Sequence, residues 1–209
     1  KYKMIEAITY AGMLEHISNS ELVEDIIGIL ITRPDLNTGR DILKALNYYH
    51  HLTSENINFY LPGYGAYWNS QDYPDMNTVT SINGVNWSFS DKAFVDFIST
   101  LEKVSRWKYS GESELLLIPY YNKMLDFSAV AVFNLDVMLN DGTISSVSSF
   151  ITGLSRCFNH NKSINSITAC EATKCVTNTI IEEIMTNIPT YIYKPLRRGF
   201  HYLCKDFSR

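Results

Sequence analysis

The sequence predicts an α/β (or α+β) fold, a three-layer mixed sheet with helices on both faces, and three observations carry that expectation. The first is a short, nearly continuous apolar run at Ile26–Thr32, a turn at Pro34–Gly39, apolar residues at helical spacing (Ile42, Leu43, Leu46, Tyr49), and a second run at Asn58–Leu61. That order and length suit a βαβ unit, in which a strand covered on both faces crosses over to a parallel neighbour. The second is Asn83-Gly84 between Thr78–Ile82 and Val85–Phe89, a strong hairpin signal because both central residues of a type I′ turn need positive φ. The third is the stripe Phe94, Phe97, Ile98, Leu101 and Val104, which marks the inward face of a helix. A chain of 209 residues, 45% hydrophobic and 19% charged, can bury a core of its own without covalent staples.

The remaining elements follow from the same rules. Tyr2–Ile17 carries Ile5, Ile8, Leu14 and Ile17 at spacings near three and four, which predicts an N-terminal amphipathic helix before the first strand. Ser90 is placed to cap the helix that begins at Asp91. Leu115–Tyr120 reads as a strand, and Phe127–Leu139 as a second that pairs with it, opening on alternating apolar residues and closing at Asn140-Asp141-Gly142. Ser145 or Ser146 opens a helix through Phe150, Leu154 and Phe158. A further helix carries Val176, Ile180, Ile181 and Ile184 before Pro189, and the chain then runs into an aromatic and basic tail. The expected organisation is an N-terminal helix over 1–22, an α/β core over 23–161, and a helical and basic extension over 162–209 packed on the core.

Charge and composition narrow the function. The formal net charge of −4 gives no general nucleic-acid footprint, although Lys194, Arg197, Arg198, Lys205 and Arg209 make the last stretch locally basic. Apolar runs are too short to span a bilayer, and the first residues lack the layout of a signal peptide, so the expectation is a cytoplasmic protein away from membranes. The opening Lys1, in place of methionine, suggests a fragment of a longer protein. Cys157, His160, Cys170 and Cys175 lie close in sequence, but positions five apart on a helix point away from each other, so no metal site is expected there and the four cysteines, Cys204 included, are read as reduced thiols.

Common catalytic signatures are missing: there is no Walker loop, dinucleotide fingerprint, His-Glu-x-x-His or Gly-x-Ser-x-Gly pattern. Pro34-Asp35 and Pro74-Asp75 lack the Glu-x-Lys strand of a metal nuclease, and no cysteine occupies Thr32–Gly39, where a thioredoxin-like plan would place its redox pair. His50 and His51 fall at a predicted helix end, where a cation suits the exposed carbonyls. Asp126 and Asp136 are expected on one strand, about 30 Å apart and too distant to act as a pair.

Two regions stand out as candidate sites. The turn from Arg33 to Arg40 leaves the first strand at the carboxyl end of the sheet, where open α/β folds bind ligands, and its backbone amides and two guanidinium groups suit an anion. The aromatic loop from Pro62 to Tyr73 brings Tyr64, Tyr67, Trp68 and Tyr73, whose rings could stack on a base. Together they outline a nucleotide-type pocket in a module that recognises an anionic small molecule. Glu112 and Glu114 precede Leu115–Pro119, and two carboxylates at the mouth of a strand can orient ribose hydroxyls or stabilise positive charge. This stretch resembles the acidic strand motif of mono-ADP-ribosyltransferases, with the proline displaced by one position and the companion Ser-Thr-Ser element faintly echoed at Thr78–Ser81. The resemblance implies an enzyme acting on a nucleotide or an NAD-like ribosyl bond through Glu112 and Glu114. A third expectation is an interaction domain in which Tyr64, Tyr67 and Trp68 bind a protein partner or a second copy of the chain. No cofactor is named by these residues.

Overall fold

The computed structural model describes residues 5–7, 9–19, 24–43, 57–66, 68, 70–82, 84–160, 197 and 199–209. The elements are β1 (Ile5–Ala7), α1 (Tyr10–Asn19), β2 (Glu24–Ile31), α2 (described over 37–43), β3 (Ile57–Pro62), β4 (Tyr64–Ala66), β5 (Asn77–Ile82), β6 (Val85–Phe89), α3 (Asp91–Val104), β7 (Glu114–Tyr121), β8 (Met124–Leu125), β9 (Val130–Asn134), α4 (Leu135–Asn140), α5 (Val147–His160) and β10 (Tyr202–Lys205). Seven strands form a mixed sheet in the order β1-β3-β2-β7-β9-β10, with β8 paired to β7, and β4-β6-β5 form a small antiparallel sheet. With its helices, the chain is an α/β or α+β protein.

The βαβ expectation holds in its essentials. β2 and β3 are parallel neighbours, with Ile26 opposite Ile57 and Ile29 opposite Tyr60, and α2 lies in the crossover between them. β2 is covered on both faces, since Ile26, Ile27, Ile29, Leu30 and Ile31 are all buried, which is why its sequence is a continuous apolar run rather than an alternation. β7 joins β2 on the other side, antiparallel over the whole strand from Glu24 opposite Tyr121 to Ile31 opposite Glu114. β9 then pairs with β7, aligning Asn134 with Glu114, so the carboxyl ends of β2 and β9 and the amino end of β7 finish together. The hairpin of β5 and β6 also forms, with Gly84 at φ 78°, but it pairs with β4 in the small sheet and carries a register shift between Thr78 and Thr80.

Capping decides several boundaries. Ser90 caps α3, its hydroxyl accepting from the Ala93 amide at 3.1 Å, and Phe94, Phe97, Ile98 and Leu101 form the buried stripe, while Val104 is exposed. Ser146 accepts from the Ser149 amide at 3.1 Å at the start of α5. The helix expected over Tyr2–Ile17 is corrected: Thr9 starts α1, its hydroxyl accepting from the Gly12 amide at 2.9 Å, and the residues before it form β1, which pairs in parallel with β3. A three-residue strand has no local signature, and only its distant partner makes it a strand. The strand expected over Phe127–Leu139 is also corrected. Asn134 ends β9 and accepts from the Val137 amide at 3.1 Å, so Leu135–Asn140 is helical and Asp136 lies on α4. Leu135 continues the apolar alternation of β9, which hides the change of period from sequence alone.

The basic tail contributes a strand. β10 pairs antiparallel with β9, Tyr202 opposite Phe133 and Lys205 opposite Val130. Its approach is fixed by His201, which is buried: Nδ1 accepts from the Arg197 amide at 2.9 Å, leaving Nε2 to donate to Asp141 at 2.7 Å. Burial would raise the Asp141 carboxyl, but its bonds to His201 and Thr143 outweigh this and hold it well below the usual carboxylate range. Beyond β10, Arg209 donates to the carbonyls of Ser105 and Glu102 at the carboxyl end of α3. The predicted helix over 176–184, His50, His51, Tyr67, Arg198, Cys170, Cys175 and the side chains of Cys157 and His160 fall outside the described residues.

The common end of β2, β7 and β9 is closed by a buried chain of hydroxyls. Thr32 Oγ1 and Ser113 Oγ are 2.7 Å apart, Ser113 Oγ and Thr38 Oγ1 are 2.5 Å apart, and Thr38 donates to Asp136 at 2.7 Å. The Ser113 amide donates to the other Asp136 oxygen at 2.5 Å. Gly39 lets α2 sit this close, because a Cβ there would meet the Arg33 carbonyl oxygen at 1.9 Å. Replacing Asp136 by Ala strips the acceptor from a hydroxyl and an amide that are both drawn out of water. The expected loss is about 2–3 kcal/mol, read as a lower urea midpoint with an unchanged slope.

Candidate functional site

The site is best built from the residues that leave β2. Thr32 is buried, Arg33 is half-buried, and Asp35, Asn37 and Arg40 are exposed, so the turn changes from core to surface within a few positions. Arg33 lies with its guanidinium carbon 4.6 Å from the centroid of the Phe94 ring and is hydrogen-bonded to Asp91, the first residue of α3. Burial alone would lower the Arg33 pKa, but the bond and charge of Asp91 outweigh it, and the guanidinium is held above its ordinary value. Arg40 is hydrogen-bonded to the side-chain oxygen of Asn37.

The first turn of α3 also anchors the aromatic loop. Asp75 accepts from the Ser90 hydroxyl at 2.7 Å and from the Lys92 amide at 2.9 Å, and these bonds hold its carboxyl below the usual range. In the same loop the rings of Trp68 and Tyr73 pack 4.9 Å apart, tilted by 34°. Trp68 rests on the backbone of Gly65, where a Cβ would meet the indole nitrogen at 1.9 Å. Tyr64 plays a different part from the one its loop position suggests. It is fully buried and donates its hydroxyl to the Thr32 carbonyl at 2.9 Å, supporting the Arg33 turn from within.

Glu112 and Glu114 are separated by burial. Glu112 is exposed and accepts from the Asn134 amide nitrogen at 3.0 Å. Glu114 opens β7 and is 6% exposed, with one carboxyl oxygen accepting from the Ser110 hydroxyl at 3.0 Å and the Ser110 amide at 3.4 Å. Burial pushes the Glu114 carboxyl above its ordinary value, against the opposing effect of Ser110 and the nearby Trp107 indole. The buried Trp107 nitrogen faces this carboxyl without meeting full hydrogen-bond geometry. Burial raises the Tyr109 phenol above its ordinary value, and the neighbouring Arg33 guanidinium opposes that rise. The Tyr109 ring packs edge-on to Phe94 at 5.7 Å and lies 6.2 Å from Trp107.

The sequence reading put Arg33 and Glu114 in separate candidate sites, and the pairing of Ile31 with Glu114 brings the strand ends that carry them to one end of the sheet. Trp107 and Tyr109 sit in a connector whose residues have no helical or strand period, and Asp91 reads as an ordinary first-turn acid. These residues carry aromatic and polar groups in an otherwise plain segment, 105–113, and that density was the available signal. Among the described residues no group of three or more His, Cys, Asp or Glu side chains is arranged to hold a metal ion, and no helix is long and apolar enough to cross a membrane. No protein-family model, curated protein or solved structure matches this chain.

The raised Glu114 carboxyl sets a pH dependence of stability. A carboxyl whose folded value lies above its unfolded one favours the fold when protonated, so its contribution is complete below the unfolded value and is lost as pH rises through the folded value. Above that range the ionised form weakens the fold. Glu114→Gln keeps an oxygen for Ser110 and removes the buried charge. Chemical denaturation from acid to neutral pH is expected to show the variant gaining on the natural chain as pH rises.

Proposed function

We propose that this chain is a cytoplasmic α/β recognition module that binds an anionic, nucleotide-type small molecule at the end of the sheet where the Arg33–Arg40 turn meets the Trp68–Tyr73 loop. The observation that carries the reading is the first turn of α3, which holds the turn through Arg33 and Asp91 and the loop through Asp75, Ser90 and Lys92. Two segments that arrive from different strands are thereby tied to one helix start. The turn offers the exposed guanidinium of Arg40 and the partly exposed one of Arg33, and the loop offers the paired rings of Trp68 and Tyr73, groups suited to a phosphate and a base. A binding module fits this geometry better than an enzyme that works through paired carboxylates, because Glu112 is engaged by Asn134 and Glu114 is sequestered with Ser110.

The reading is tested by a thermal-shift panel of nucleotides, dinucleotides and cyclic nucleotides. A ligand at about a hundred times its Kd stabilises the native state by about 2.7 kcal/mol, which for a chain of this size raises Tm by about 5 °C or more. The shift should vanish in Arg40→Ala, an exposed substitution expected to leave the unliganded Tm within about 1–2 °C. No shift across the panel overturns the reading and favours a protein-interaction domain, in which Trp68→Ala changes the mass of the assembly.

A further inference from the structure

We propose that two copies of this chain associate edge to edge, their β5 strands pairing antiparallel about a twofold axis at Ser81. The pairing is independent of the anion site.

β5 is the terminal strand of the small sheet β4-β6-β5, so its outer row of N–H and C=O groups meets no strand among the described residues. Only two residues separate Ile82 from its partner Val85, so this pair exchanges both ladder hydrogen bonds, and by alternation Ser81 turns its N–H and C=O away from β6. Ser81 is exposed, as are Asn77 and Thr78. The register shift lies between Thr78 and Thr80 and leaves Thr80–Ile82 regular up to the turn. Edge strands that stay single are guarded by charge, by proline or by a bulge, and the bulge here falls in the first half of the strand. In a chain 19% charged, no charged residue or proline stands between Asp75 and Asp91, so both strands of the hairpin lack the other guards. Thr78, Val79, Thr80 and Ile82 are β-branched instead, a composition that favours strand pairing.

The same absence of charge selects the occupant. A charged segment finds no counter-charge along this edge, whereas β5 meets itself without setting like charges opposite each other. Two identical antiparallel strands are self-complementary about a twofold axis, and with Ser81 opposite Ser81 of the second copy, each Thr80 faces the other copy's Ile82. Thr80, Ile82, Val85 and Trp87 share one face through their pairing, and Ile82 and Trp87 pack on the core there yet stay partly exposed. Joining the edges continues that face from the three strands of one copy to the three of the next. It also satisfies the outward backbone groups of Ser81 in both copies.

Sedimentation equilibrium of the full chain from low to high micromolar concentration measures the association. The expected result is a monomer–dimer equilibrium in the natural chain. Ser81→Lys sets two ammonium groups side by side at the axis and Ser81→Glu two carboxylates, and each variant is expected to weaken the dimer by about tenfold or more. Mixing the two variants sets Lys against Glu and should restore association, which a merely structural role of Ser81 would not produce. Both substitutions are at an exposed position and should leave Tm within about 1–2 °C. Hydrogen exchange on the natural chain gives a readout that needs no variant: the Ser81 amide is expected to exchange more slowly as concentration rises. A natural chain that stays monomeric throughout overturns the pairing. So does a dimer equally tight in both variants, a mixture that fails to associate, or a Ser81 amide whose exchange ignores concentration.

Discussion

The Ser113 hydroxyl, buried between Thr32 and Thr38 and linked through Thr38 to Asp136, is the contact on which the organisation of this sheet end depends. It joins the exit of β2, the first turn of α2, the entry to β7 and the first turn of α4, four segments brought together from across the chain. A buried hydroxyl must find partners or lose more free energy than an ordinary hydrogen bond returns. Here each hydroxyl can donate to the next, and the chain ends on a carboxylate that also accepts the Ser113 amide. The direction of the relay is therefore set by its acidic end, and the group is satisfied only when all four segments are in place.

The same logic governs the helix starts around it. Asp41, on α2, accepts from the Val147 amide at the start of α5, and Asp75, on the aromatic loop, accepts from the Lys92 amide at the start of α3. Helices present unsatisfied amides at their first turns, and carboxylates are favoured there by both hydrogen bonding and the helix dipole. Much of the acidity at this end of the sheet is thereby used to fasten one element to another. Glu114 stands apart: it is buried, held mainly by a neighbouring serine, and left with a charge that burial disfavours. Asp75, held below the usual range by its bonds to the Lys92 amide and the Ser90 hydroxyl, belongs to the scaffold, whereas burial raises Glu114.

Legibility in the sequence tracked how local each interaction is. The cap at Ser90, the Asn83-Gly84 turn and the inward stripe of α3 are contained within a few residues, and they appear where the pattern places them. Thr9 was equally local, yet the apolar spacing of Ile5 and Ile8 with Leu14 and Ile17 ran past it and concealed the strand before α1. Asn134 was hidden in the opposite way, because Leu135 suits both the end of an alternating strand and the inward face of a helix. At the site, Arg33 and Glu114 were visible as charged residues at strand ends. Tyr64 was visible as an aromatic beside glycine, but its hydroxyl serves the Thr32 carbonyl inside the protein.

What the sequence by itself determined is the class of fold, the parallel pair β2 and β3, the hairpin, and the two segments that form the proposed recognition surface. These rest on periodicity, turn chemistry and capping, which act over a handful of residues. Only the tertiary structure decided that β1 and β10 complete the sheet, that the hairpin belongs to a second sheet, and that the strand ends carrying Arg33 and Glu114 finish together. Strand pairing depends on which distant segments meet, and that is settled by the burial of the core as a whole rather than by any local pattern.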